Sequence, residues 1–310
     1  MRATGIGSMP GDDFTDALHT VLGEVGDLPF VPELPERGIH AGMIGRSLAV
    51  LDGLHVDLQP AGWRLTTGPS RDHRRVRSRL GQDLDVLEEL LPASTPTLKQ
   101  QVAGPWTLVA NVERPRGDRV LADHGARREL AESLAEGLGQ HVADLRGRAP
   151  HQDVVIQIDE PSLPATLAGA IPTASGYGRH RSVGLPEAEH LLALVAESIA
   201  AAGAVPVVHC CAGEVPVALL ARAGFKAISF DLALAVPGED WSRVFEDGVD
   251  LWPGGARDSH QLDAWFLDLG FDDAVYGDRT VVSPACGLSG TSPAEARSAL
   301  RTSQEIASTV

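Results

Sequence analysis

Short runs rich in β-branched and apolar residues alternate with helical stretches eight times along these 310 residues. No other feature of the sequence constrains the fold as tightly. The runs are TGIGS (4–8), FVPELP (30–35), LKQQVAG (98–104), DVVIQID (153–159), AVPVVHC (204–210), FKAISFD (225–231), VDLWPGG (249–255) and TVVSPAC (280–286). Strands separated by helices pair in parallel through crossover connections. Eight such units predict an α/β fold of the closed (β/α)8, TIM-type barrel class rather than an open sheet. LHVDLQPAGWRLT (54–66) predicts a β-hairpin inserted before a long helix, DHRRVRSRLGQDLDVLEELL. No linker or low-complexity segment divides the chain, so a single domain over 1–310 is expected. The Pro-, Gly- and Ala-rich stretch 160–185 is either a lid or a plain connection.

With 26 basic and 42 acidic residues the formal net charge is −16. That balance argues against nucleic-acid and anionic-lipid partners, and any anionic ligand would need a local positive spot. The first residues lack a basic segment leading into a long apolar run, so no signal peptide is expected. The most apolar stretch, 191–211, is broken by Glu197 and Pro206, so no membrane span is expected either. Three cysteines, two of them adjacent, make a poor disulfide framework and suit a reducing cytoplasm.

In a parallel barrel the functional groups collect where strands end. Those positions here are Gly7 with Ser8, Glu33, Gly104, Asp159, His209 with Cys211, Asp231, Gly254 with Gly255, and Cys286. His209 and Cys211 are two apart and share a direction in extended backbone, while Cys210 points the other way. Asp231 ends the sixth strand and Cys286 the eighth. An imidazole, two thiols and a carboxylate are ligand types that zinc takes in tetrahedral sites. Alternatively the cysteines are small buried hydrophobes and the histidine bonds a carbonyl. IQIDEP (156–161) ends a strand in two carboxylates, of which only one can face the mouth; alternatively the strand end simply caps the next helix. GIGSMPG (5–11) is a tight turn suited to a carboxylate or phosphate, without the spacing of a dinucleotide fingerprint.

At these residues the chain resembles the catalytic C-terminal domain of the cobalamin-independent methionine synthase family. IGSMP (6–10) is similar to that family's turn after the first strand, and QIDEP (157–161) is identical to its motif. VHCC (208–211), the carboxylate after ISF (228–230) and CGL (286–288) follow its zinc series in order. The resemblance implies a zinc-dependent methyltransferase that converts homocysteine to methionine on a (β/α)8 barrel. It implies that His209, Cys211 and Cys286 are zinc ligands, with Asp231 standing where the family has a glutamate. Ile6, Gly7 and Ser8 would form the turn that takes the homocysteine carboxylate, and Glu33 and Asp159 would hold its ammonium group. Asp159 and His260, the latter in the place of the family's candidate proton carrier, would be the catalytic residues.

The chain departs from the family on the donor side. Its length leaves no room for the second, N-terminal barrel of the full-length enzymes. Asn111 stands where the family has a tryptophan that contacts folate, and Trp106 nearby is either a replacement or a core residue. The methyl donor is therefore expected to be methyltetrahydrofolate or a methyl-corrinoid carried by a protein. Three rival readings are a zinc-dependent transferase to another thiol such as coenzyme M, a uroporphyrinogen decarboxylase-like lyase, and a zinc-storing or thiol-sensing barrel. TGIGSMPGDD (4–13) lacks the arginine cluster of the lyase, and two carboxylates suit an amino-acid thiol.

Overall fold

A computed structural model describes residues 1–309. Its strands are β1 (Arg2–Ala3), β2 (His55–Gln59), β3 (Gly62–Thr66), β4 (Thr97–Ala103), β5 (Asp153–Asp159), β6 (Val205–Cys210), β7 (Ala227–Asp231), β8 (Asp250–Gly254) and β9 (Val281–Val282). β4 to β8 form a parallel sheet in sequence order, and β1 pairs in parallel with β9. Isolated parallel bridges close the ring: Ser8 to Glu33, Phe30 to Lys99, Leu251 to Thr280 and Gly254 to Ser283. Residues 30–33 thus take the second place in an eight-membered barrel, the fold expected from the sequence. Its main-chain bonds run to both neighbours, Val31 N to Lys99 O at 2.9 Å and Glu33 N to Gly7 O at 3.0 Å.

The hairpin lies outside the ring, as β2 and β3 paired antiparallel with His55 opposite Thr66. The helices form where the sequence supplies caps. Asp13 opens Phe14–Glu24, Ser70 opens Arg71–Leu90, Asp123 opens His124–Arg148, and Ser292 with Glu295 builds a capping box on Pro293–Ala307. Gly137 lets the helix His124–Arg148 lie against residue 50, because a Cβ there would meet the Val50 carbonyl oxygen at 1.8 Å. No helix among the described residues is long and apolar enough to cross a membrane.

Period-two alternation divides the barrel interior from its helical coat. On β5, Val154, Ile156 and Ile158 belong to the main core, while Val155 joins Leu28, Val207, Ala227, Trp252 and Val281 in a separate apolar floor. Above that floor the same inward parity carries polar groups: Lys99 and Gln101 on β4, Gln157 and Asp159 on β5, His209 on β6 and Ser229 on β7, all buried. Glu160, the second carboxylate of the QIDEP run, faces away from this column. Its oxygens accept from Trp106 N at 2.9 Å, Thr107 N at 2.8 Å and Thr107 Oγ1 at 2.8 Å, capping the helix Pro105–Asn111. Burial pushes Glu160 up to about 7 against those three donors.

The cap should be measurable. Replacing Glu160 by Gln turns one acceptor oxygen into a donor facing buried N–H groups, and is expected to destabilise the fold by roughly 1–3 kcal/mol. Urea unfolding of the wild type and Glu160→Gln checks this through the midpoint, with the slope unchanged.

Candidate metal and substrate site

His209, Cys211 and Cys286 meet at the mouth. Their ligand atoms all lie within 4.8 Å of one another, and the two sulfurs are 3.4 Å apart. Two separate ends of the ring bring them there. His209 is the inward residue at the end of β6, and Cys211 follows with the same parity once the strand gives way to a turn. Cys210, between them, is buried on the helical side, and burial raises its thiol to about 12. Cys286 comes from the loop after β9. All three cysteines are free thiols.

The imidazole is held from behind. His209 Nδ1 lies 2.9 Å from Ser229 Oγ, its register partner on β7. Nε2 is buried without a hydrogen-bond partner. Burial also lowers the His209 pKa, which keeps the ring neutral with a lone pair to offer. Cys286 is drawn down to about 4 by the Cys211 thiol first and by His209 second, while Cys211 is raised by sharing that hydrogen bond with Cys286. A neutral imidazole nitrogen without a partner beside two sulfurs fits zinc. Thiolates at tetrahedral zinc stand about 3.8 Å apart, close to the separation found here. A ring nitrogen fixed by a hydrogen bond at the other nitrogen is the usual support of a metal-bound histidine.

The same cavity, about 290 Å³, is lined by Ile6, Gly7, Ser8, Glu33, Asp159 and the three metal-type residues, with Met43, Gln101 and Gly287 also on its wall. Gly7 and Gly287 allow close approach: a Cβ at Gly7 would meet Gln101 Cδ at 2.5 Å, and one at Gly287 would meet Ser8 Oγ at 2.1 Å. Glu33 and Asp159 are buried and both have raised pKa values, chiefly from burial; each lies within the field of Lys99, and Asp159 is raised further by Glu33. Lys99 is fully buried and lowered to about 7 by burial. Its Nζ donates to Gln157 Oε1 at 2.7 Å and to the Ile6 carbonyl at 3.1 Å. Gln157 Nε2 donates to Ile6 O at 2.9 Å and to Asp159 Oδ1 at 2.7 Å, and Gln101 Nε2 donates to Glu33 Oε1 at 3.1 Å.

Two of the residues singled out from the sequence stand apart. Asp231 is not in the metal-type group; its Oδ1 accepts from Ala233 N at 2.9 Å, so the carboxylate turns back on its own loop. His260 is exposed in the first turn of the helix Ser259–Asp268 and does not line the cavity. Asp258 caps that helix by accepting from Gln261 N at 2.8 Å. Trp106 is a core residue, wholly buried, with Nε1 donating to Ala188 O at 3.1 Å. Sequence reasoning passed over Lys99, Gln101 and Gln157 as site residues. Their signal is parity: Lys99 and Gln101 alternate on β4, and Gln157 stands two before Asp159.

No protein-family model matches the chain, and no curated protein matches it. Among solved structures it is similar to a B12-independent methionine synthase from Shewanella sp. W3-18-1 in complex with selenomethionine. The two are 13% identical, with a TM-score of 0.63 over 99% of this chain and 96% of that one. It is also similar to a β-mannanase from the blue mussel Mytilus edulis, at 12% identity and a TM-score of 0.52 over 99% of this chain and 92% of that one. Two enzymes of unrelated chemistry share the architecture, so the likeness establishes the barrel and leaves chemistry to the site.

Proposed function

We propose that the chain is a zinc-dependent methyltransferase, a single catalytic barrel domain that moves a methyl group to the thiol of homocysteine and forms methionine. The observation that carries this reading is the buried, unpartnered Nε2 of His209 in one cavity with two thiols 3.4 Å apart. His209, Cys211 and Cys286 would hold the zinc. When bound, the ion supplies the positive charge that lets a thiol, ordinarily protonated below about pH 8.5, present itself as a thiolate near neutrality. Three protein ligands leave a coordination position open, as catalytic zinc requires, with Asp231 Oδ1 accepting from Ala233 N beside them.

The chain's own groups do the rest. Glu33 and Asp159 hold the ammonium group, which relieves the mutual repulsion that burial imposes on two carboxylates. Ile6, Gly7 and Ser8 form the turn for the carboxylate of the amino acid. Gln157 and Gln101 orient the two acidic side chains. The sulfur–carbon bond then forms as the donor's bond to the methyl group breaks, across the open mouth, and the thiol proton leaves to solvent. A pair of carboxylates favours an amino-acid thiol over coenzyme M, whose sulfonate they would repel. The donor is methyltetrahydrofolate or a methyl-corrinoid on a protein, and assays of methionine formation with each donor alone decide between them.

Cys286→Ser and Cys211→Ser should each lose zinc and turnover together, measured by elemental analysis and methionine formation; full zinc and full rate in either variant would reject the ligand set. X-ray absorption at the zinc edge should show one more sulfur neighbour when homocysteine is added. Asp159→Asn should keep its zinc while raising KM for homocysteine about 30-fold or more, the order expected when a buried charge loses its partner. An unchanged KM would remove Asp159 from the ammonium pocket.

A further inference from the structure

The mouth of this acidic barrel carries a basic sector. Arg71, Arg74 and Arg75 lie in the first turn and a half of the helix Arg71–Leu90, whose far end leads into β4, so this turn stands at the mouth. Arg116 follows the third ring strand, and Arg179 and Arg181 follow the fourth. All six are exposed, and none makes an ion pair among the described residues. Asp72, the carboxylate among the first three, is already engaged by His40 Nε2 at 3.0 Å and Leu58 N at 3.1 Å. Arg64 and Arg114 nearby are neutralised by Asp57 and Asp123, and Arg119 donates to the Ala110 carbonyl.

The three segments form one continuous rim. Glu113 N donates to Trp63 O and Leu65 N to Glu113 O, each at 2.8 Å, so the third loop lies along β3. Asp118 Oδ1 accepts from Ala174 N at 2.8 Å and lies 3.3 Å from His180 Nε2, tying the third loop to the fourth. On the inner side of this rim a cavity of about 390 Å³, lined by Ile39, Trp63, Asn111 and Arg119, adjoins the substrate cavity across Pro35 and Met43. The rim also displays apolar surface, with Tyr177 99% and Ile39 51% exposed.

We propose that this rim, which couples free guanidinium groups to an exposed tyrosine and to the exposed isoleucine of the second cavity, is a docking surface for a protein with an acidic face. A small anion would be met by buried, converging arginines. Here the arginines are exposed and spread over one helix start and two loops, with the aromatic and aliphatic side chains that anchor protein interfaces among them. Free charges of one sign on a chain of net charge −16 steer an oppositely charged partner to one face and repel it elsewhere. The inference rests on the preceding reading for what the partner delivers to the open mouth, and not for the docking itself.

The test reads binding alone. Poly-L-glutamate of about fifty residues, standing for an acidic protein face, is titrated into the full chain by calorimetry at about 25 mM NaCl. It should bind despite the net charge, and raising the salt to about 250 mM should weaken it at least tenfold. Arg71→Gln/Arg74→Gln/Arg75→Gln should lose about tenfold, the matching Glu variant more, and Arg179→Gln/Arg181→Gln should also weaken it, with circular dichroism confirming the fold of each. Cys286→Ser, which fails if the zinc reading holds, should bind as the wild type does. No binding at low salt, binding indifferent to both sets of variants, or triglutamate or tripolyphosphate binding as tightly as the polymer would each overturn the proposal, the last in favour of a small-anion site.

Discussion

A single carboxamide ties three strands of the ring together at the height where chemistry begins. Gln157 accepts from Lys99 on β4 and donates both to the Ile6 carbonyl before the first turn and to Asp159 at its own strand's end. Buried polar groups are tolerated only when paired, and this amide pairs a cation, a carbonyl and a carboxylate at once. Remove it and Lys99 and Asp159 are left short of partners in a closed interior. The placement of the first turn and of the Asp159 carboxylate both follow from this one side chain.

The barrel interior is consequently two materials. Below, six apolar residues fill the floor; above, charged and amide groups of the same inward parity form a hydrogen-bonded column that ends at the imidazole and the thiols. The metal-type group sits where that column meets solvent, with His209 braced by Ser229. Burial keeps the imidazole neutral while the sulfurs remain accessible, which is the division of labour that a ligand set open to substrate needs.

Much of this was legible in the residue order. Alternating strand and helix patterns gave the ring, the hairpin fell at His55–Gln59 and Gly62–Thr66 within the expected 54–66, and the two-residue spacing of His209 and Cys211 brought both to Cys286. What was not legible depends on local bonding. Asp231 has the right type at the right strand end, yet a turn amide two residues on captures its carboxylate. His260 was placed by counting along a loop whose Asp258 serves as a helix cap. Lys99 was not singled out, because its inward place shows only when the parity of β4 is set against its neighbours. Glu160 caps a helix that precedes it in the chain, a partnership no local spacing announces.

The second place in the ring has a consequence of its own. Where β4 and β5 pair over seven residues, residues 30–33 are stitched to their neighbours by isolated bridges. Such a seam is held by fewer main-chain bonds than the ladders around it, and Glu33, buried, sits on it. One wall of the cavity therefore depends on side-chain burial to stay in place, and the opposite wall, on β5 and β6, is carried by a continuous ladder.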